Sequence, residues 1–247
     1  MNIAEYEKMY NLEDHYWWFQ GRKYIILDLM NNFINKKDSL NILDIGCGTG
    51  MLLSELSRFG EPIGLDFSPL ALAFCRKRGI KDLMRASVDD LPIKNNSIDI
   101  ITAFDLIEHI EDDKKLCNSI FDICKNDGYF ILTVPAYQFL WSKHDESLYH
   151  YRRYTKKQIE DMLTKAGFKI NKLTYAITLT FIPIAIYRFI EKIFNKNSKP
   201  KSHLITLPEW INSLLIMTLK LESKILSKFN LPFGVSIICI AQKNVKI

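Results

Sequence analysis

The stretch Asn41 to Gly50 reads N-I-L-D-I-G-C-G-T-G, and no other part of the chain restricts the fold so tightly. Four residues of strand character, Ile42 to Ile45, run into glycines at 46, 48 and 50. A helix-compatible run, Met51-Leu52-Leu53-Ser54-Glu55-Leu56, follows at once. Glycine lets the backbone turn sharply and approach a ligand closely. The first turn of a helix offers unpaired N–H groups at the positive end of its dipole. Strand, glycine turn and helix start together predict a socket for a nucleotide-like ligand.

The rest of the pattern is α/β. Strands are expected at 40–45, 62–66, 82–86, 98–103 and 129–134, with helices at 51–59, 69–77 and 112–124 between them. Ser68-Pro69 supplies an N-cap and first position for the second of these helices. Such alternation predicts a parallel sheet with helices on both faces and a ligand beyond the carboxyl ends of the strands. Before it, helices are expected at 4–12 and 21–33. The aromatic stretch His15-Tyr16-Trp17-Trp18-Phe19 between them has no single helical face and reads as a plug or a lid. After it come an irregular insert at 136–154, a helix at 155–166 ended by Gly167, and a strand at 168–175. Two apolar helices at 178–194 and 208–228, a basic linker at 195–202 and a last strand at 234–241 complete the chain. As units, the expectation is a helical lid over 1–35, a core over 36–175, a helical segment over 176–230 and a final strand within 231–247.

Charge excludes some partners. After residue 187 the chain carries ten Lys/Arg against three Asp/Glu, so the body is slightly acidic although the whole has a formal +5. A basic tail on a near-neutral body is not the footprint of a nucleic-acid binder and suits anionic lipid or phosphate at one end. Five cysteines with no C-x-x-C pair predict reduced thiols and no structural metal. Glu5 and Glu7 in the first ten residues do not read as a secretory signal. The longest apolar run, 175–187, has 13 residues and contains Pro183, against roughly 20 for a membrane span. The expected location is cytoplasmic, or peripheral on the inner face of the membrane.

Asp44 lies inside the strand, and the glycine spacing is G-x-G-x-G rather than the dinucleotide G-x-G-x-x-G. Asp66 ends the second strand, where a carboxylate suits ribose hydroxyls and repels a 2′-phosphate. The motifs D-I-G-C-G-T-G, G-L-D-F-S, D-L-P, S-I-D-I-I and L-I-E-H-I follow in order across residues 40–135. With them the chain resembles the class I S-adenosylmethionine (SAM) dependent methyltransferases. The resemblance implies a Rossmann-like seven-stranded sheet of order 3-2-1-4-5-7-6, strand 7 antiparallel, with the N-terminal helical arm and an amphipathic helical insertion added. It implies SAM as cofactor. Asp44, Gly46, Cys47 and Gly48 would line its methionine part, Asp66 its ribose and Phe67 its adenine. Ser87 and Val88 stand where the family often has an adenine-contacting Asp. Phe104 and Asp105 would lie near the transferred methyl group, and Glu108-His109 read as packing residues.

The flanks H-Y-W-W-F-Q-G-R, H-D-E-S-L-Y-H-Y-R-R-Y-T and L-P-F-G-V-S-I-I-C-I-A resemble a bacterial and archaeal subgroup associated with surface-polysaccharide and glycolipid assembly. That implies a glycan, a lipid-linked sugar or a small lipid-like acceptor. A sulfonium methyl is already activated, so the protein mainly positions the nucleophile. A hydroxyl acceptor gains from a base, and histidine has a suitable pKa. His144 or His150 is the expected base, oriented by Asp145 or Glu146. Trp18, Arg22, Trp141, Arg152 and Arg153 are the expected acceptor contacts, the arginines as clamps on an anion. A metal held by His144, Asp145 and His150 is the lesser alternative, and no metal is expected. The apolar helices over 178–228 read as an interfacial anchor or a homo-oligomer contact. Two rivals remain: an NAD-dependent sugar oxidoreductase or epimerase, and a non-catalytic SAM-binding scaffold. The first lacks a Tyr-x-x-x-Lys pair and the right glycine spacing.

Overall fold

The computed structural model describes residues 3–34, 39–194 and 207–244. Seven strands form one sheet: β1 (Leu40–Ile45), β2 (Gly60–Asp66), β3 (Leu83–Arg85), β4 (Ile98–Phe104), β5 (Cys124–Pro135), β6 (Phe168–Ala176) and β7 (Ser236–Lys243). The spatial order is β3-β2-β1-β4-β5-β7-β6. All neighbours are parallel except β7, which runs antiparallel to both β5 and β6. Fold class and strand order agree with the expectation. Nine α-helices are described: α1 (Ile3–Glu13), α2 (Trp17–Phe33), α3 (Met51–Leu56), α4 (Pro69–Lys77), α5 (Asp113–Ile123), α6 (Lys143–Ser147), α7 (Lys156–Ala166), α8 (Phe181–Phe194) and α9 (Glu209–Leu226).

The central strands are apolar on both faces, and their period-2 alternation divides the core in two. Leu43, Ile45, Ile101, Phe130, Leu132 and Cys239 face one side, where Leu116 and Ile120 of α5 and Ile159 and Leu163 of α7 cover them. Ile42, Ile100, Ile131, Ile238 and Ile240 face the other, under Ile25, Ile26, Leu29 and Met30 of α2 and Leu219 and Leu226 of α9. The second layer therefore joins segments from the two ends of the chain. Asn212 of α9 fixes that junction: its Oδ1 accepts from the Trp17 amide at 2.8 Å, and its Nδ2 donates to the His15 carbonyl at 2.8 Å. Gly21 lets the helices close. A Cβ there would stand 2.1 Å from Leu219 Cδ1.

Three boundaries differ from expectation. The aromatic stretch is not a linker, because α2 begins at Trp17 and buries Trp17, Gln20 and Gly21. A helix covered on several sides does not need one apolar face. β5 starts at Cys124, five residues early, and pairs with Ile98 across a bulge between Ile98 and Ile100. The apolar helix after β6 starts at Phe181, since Ile177 takes φ +62° and Glu222 of α9 ties up the turn. Glu222, 1% exposed, accepts from the amides of Ile177 (2.5 Å) and Thr178 (2.9 Å). The expected basic linker, 195–202, falls outside the described residues.

Candidate functional site

The cofactor half of the site is built from backbone. Gly46, Gly48 and Gly50 all take positive φ, at +73°, +55° and +86°, a region that penalises any side chain with a Cβ. At Gly46 a Cβ would also press to 2.7 Å from Leu106 Cδ1. The Gly46 amide donates to the Leu65 carbonyl at 2.7 Å, which sets the loop against the end of β2. Asp66, 7% exposed, spans the opening: Oδ2 accepts from the Gly48 amide at 3.1 Å and Oδ1 from the Ser68 amide at 2.9 Å. Burial raises its pKa despite these bonds.

Asp44 is 2% exposed and accepts from Thr102 Oγ1 at 2.6 Å. Burial, opposed by that bond and helped by the nearby Asp66 charge, pushes its pKa up to about 7. Removing a carboxylate from water without a cation favours its neutral form. Cys47 is buried with its Sγ 3.9 Å from that of Cys75. Phe67 is 70% exposed, a bare ring at the mouth of the socket. Ser87 is exposed and donates to Asp89 at 2.9 Å, while Val88 packs on the main core.

The N-terminal arm touches the same loop. Glu13 of α1 accepts hydrogen bonds from Thr49 Oγ1 and from Arg78, whose guanidinium also holds Asp14 at 3.0 Å. Tyr6 and Tyr10 lie against Phe74 of α4 with ring centroids 6.5 and 4.9 Å away. Phe104 and Asp105 end β4. Asp105 takes φ +49°, accepts from Thr133 Oγ1 at 2.9 Å and forms an ion pair with Arg22. Arg22 also donates to Thr133 at 2.8 Å and sits 5.8 Å from the Trp18 ring centroid. Burial alone would raise the Asp105 carboxyl; Arg22, with Thr133, holds it below its usual value.

The acceptor half is built from charge. Asp145 of α6 is fully buried and gathers three cationic or polar side chains. Oδ1 takes His150 Nδ1 at 3.0 Å and Arg153 Nε at 2.8 Å, and Oδ2 takes Arg188 Nη1 of α8 at 3.2 Å. The Ser142 amide adds a bond at 2.9 Å, closing a capping box around α6. Burial would raise this carboxyl; the His150 hydrogen bond and the two guanidiniums hold it well below the carboxylate range. Four non-glycine residues near the carboxyl ends of the strands take positive φ: Asp105, Tyr137, Tyr149 and Ile177. Such strain is costly and concentrates at working sites.

Several expectations need correction. His144 is half-buried, and desolvation, with the Arg188 charge, lowers its pKa to about 3, so it is a poor base near neutrality. Arg153 is no clamp: it is 4% exposed, paired to Asp145 and donating to the Ala136 carbonyl at 3.0 Å. Arg152 is committed to Asp113 at 2.9 Å and the Glu111 carbonyl at 2.8 Å, and Arg22 to Asp105. Ion pairs satisfy all three arginines, and the Arg153 pair is fully buried, where an unpaired charge would be costly. Glu146 pairs with Lys143, leaving Asp145 as the orienting acid. Trp18 and Trp141 are partly buried.

His150 does reach the site. Its ring meets His109 edge-on, with centroids 4.6 Å apart. Glu108 stands beside them, fully buried. Burial, then the Asp105 charge, raise its pKa well above the ordinary value, and burial first of all lowers that of His109 to about 4. The sequence reading passed over Arg188 and Glu222. Each lies within a largely apolar helix, where a charge that packing buries needs a partner.

A glycine turn at the carboxyl end of β1 and a buried acid at the end of β2, in a 3-2-1-4-5-7-6 sheet, define a Rossmann-like fold. The family model described as "Methyltransferase domain" matches residues 43–132. A Mycolicibacterium smegmatis protein named a probable SAM-dependent methyltransferase is 24% identical over 165 residues, 64% of this chain and 62% of that one. The chain thus spans less than two thirds of that relative's length. A ubiquinone biosynthesis O-methyltransferase from Nitrosococcus oceani is 27% identical over 199 residues, covering 70% of this chain and 83% of that one. A chain from the complex of the Haloferax volcanii Trm112 methyltransferase activator with a methyltransferase shares the fold. It has a TM-score of 0.64 and 17% identity, covering 99% of this chain and 95% of that one. Residues 43–132 thus carry a methyltransferase domain, and the chain is similar to SAM-dependent methyltransferases.

Proposed function

We propose that this methyltransferase O-methylates a hydroxyl or carboxyl of a lipid-like or lipid-linked sugar acceptor at a membrane surface. The observation that carries this reading is an inverted amphipathic pattern next to the acceptor half. Ile182, Ile186, Phe189 and Ile190 of α8 are exposed, and so are Trp210, Leu214, Met217 and Leu221 of α9. On each helix these positions recur at spacings of three and four, one continuous stripe. A soluble chain rarely leaves such stripes to water unless something apolar covers them. Arg188 joins α8 directly to Asp145 and the Leu140 carbonyl, so the stripe of α8 abuts the acceptor insert. No described helix is long and apolar enough to cross a membrane. The O-methylating relative, whose name concerns a quinone pathway, fits an apolar acceptor.

In this reading Asp44, the glycine loop and Asp66 hold SAM, and Phe67, Ser87 and Val88 border the adenine. The N-terminal arm closes over the loop as a lid through Glu13 and Thr49. Asp145 fixes Nδ1 of His150, leaving Nε2 to act on the acceptor hydroxyl, the arrangement of an oriented imidazole. The sulfonium methyl then passes to oxygen in line. The membrane face is cytoplasmic, and the acceptor belongs to glycolipid or surface-polysaccharide assembly, as the flanking motifs suggest.

The test is transfer of radiolabelled methyl from SAM into fractionated membrane extract. Label is expected in the lipid phase, in a product stable as an ether or released as an ester. Label confined to RNA or protein would overturn the acceptor assignment.

A further inference from the structure

We propose that Glu108, His109 and His150 form a divalent-cation site at the acceptor end of the active site. One ligand atom from each lies within 4.8 Å of the other two. Metal–nitrogen and metal–oxygen bonds of about 2.0–2.2 Å put ligand atoms about 3–4 Å apart, so small side-chain shifts close the set.

Three independent features point to an ion. Glu108 is fully buried, yet neither carboxylate oxygen takes a hydrogen bond from another of the described residues. An unpartnered buried carboxyl is expensive, on the order of 1–3 kcal/mol or more, and is retained where something else satisfies it. Both imidazoles are held in place. His150 Nδ1 bonds Asp145 at 3.0 Å, and the His109 ring is braced edge-on against the His150 ring. An imidazole whose second nitrogen donates to a carboxylate or carbonyl is the usual posture of a metal ligand. Finally, the nearby guanidiniums do not occupy Glu108: Arg22 is paired with Asp105, and Arg153 with Asp145.

Two imidazoles and one carboxylate suit a first-row divalent ion such as Zn²⁺, Fe²⁺ or Mn²⁺ and leave coordination positions open. The step this allows rests on the O-methylation reading above. The acceptor hydroxyl binds an open position, which lowers its pKa, and its proton leaves to water. The resulting oxygen anion forms a bond to the SAM methyl carbon as the carbon–sulfur bond breaks, its electron pair returning to sulfur. Nε2 of His150 is then a ligand and no longer takes the proton itself.

The experiment strips the full-length protein with chelator and titrates it with Mn²⁺, following the free-ion resonance signal in the presence of S-adenosylhomocysteine. One Mn²⁺ per chain is expected. Glu108→Gln, His109→Gln and His150→Gln are each expected to weaken it by roughly 10–100-fold or more, with S-adenosylhomocysteine affinity unchanged as the check on folding. Absence of stoichiometric Mn²⁺ and Zn²⁺ binding, or equal affinity in all variants, overturns the site. Label transfer that persists in the metal-free protein likewise overturns it, while leaving the acceptor reading intact. A cation lost in the variants from a protein that labels no hydroxyl or carboxyl supports the site and removes that reading.

Discussion

The two halves of the candidate site, both at the carboxyl ends of the strands, are built by opposite means. Around the glycine loop, the chain uses glycines at positive φ and few charges; Asp44 and Asp66 are both pushed toward neutrality by burial. Around the acceptor, it uses one fully ionised carboxylate, Asp145, ringed by His150, Arg153 and Arg188. A cationic sulfonium cofactor can restore the missing charge balance at its own end. The Asp145 cluster is instead balanced within the protein itself. The cofactor half is therefore poised for a ligand, and the acceptor half is a preformed frame.

Breaking the frame should have the largest effect. Asp145→Ala leaves Arg153, Arg188 and His150 without their common partner, and is expected to cost about 3–5 kcal/mol in denaturant unfolding. Because the folded Asp145 pKa is depressed, its contribution is present above the ordinary carboxylate range and lost as pH falls through the folded value. An Asp145→Ala variant as stable as the parent would show that the frame is ornamental.

The junction of α2 and α9 should come next. Gly21→Ala drives a methyl into Leu219 and is expected to cost about 1–3 kcal/mol, read by thermal or denaturant unfolding. Leu219→Ala in the same background relieves the clash, so the double variant should recover part of the loss.

Asp44 sharpens the contrast because its sign is reversed. Its folded pKa, about 7, lies above the ordinary carboxyl value of 3.8. The folded state then holds a proton that the unfolded chain has lost, so the ligand-free protein should lose stability as pH rises between those values. The slope from this group is at most about 1.4 kcal/mol per pH unit. Asp44→Asn should remove that slope, as seen in unfolding curves from pH 4 to about 7. An unchanged slope in Asp44→Asn would place the titrating group elsewhere.

The smallest expected effect is on the exposed stripe. Phe189→Ser with Leu214→Ser should leave unfolding within about 0.5 kcal/mol of the parent, yet weaken flotation on vesicles with anionic lipid. Equal flotation of parent and variant would mean the stripe meets another protein surface instead.

How much of this was legible follows from the same division. The glycine loop was readable because its determinants are local: Asp44, Gly46 and Gly48 are neighbours, and Asp66, which bonds the loop, follows one strand later. Strand order followed from those motifs through the family resemblance, and the structure agrees. The acceptor half was only half readable. His150 and Asp145 lie five residues apart and were paired correctly. Arg188 lies 43 residues from Asp145, and only tertiary packing brings it there. Arg152 and Arg153 looked alike in sequence, but one faces Asp113 and the other Asp145, and neither is a free clamp. Glu108 and His109 read as packing residues because the third member of their cluster, His150, arrives from the insert. Trp17 was placed outside a helix because burial on several sides hides helical periodicity.

The division of labour can be tested on two proteins in parallel, measuring S-adenosylhomocysteine affinity by calorimetry and methyl transfer by label. Asp66→Ala is expected to lose roughly 2–3 kcal/mol of binding, the worth of hydrogen bonds to a charged group. His150→Gln is expected to bind as the parent does while transferring methyl roughly 100-fold or more slowly. Asp66→Ala binding at parental affinity, or His150→Gln transferring at the parental rate, would contradict the account.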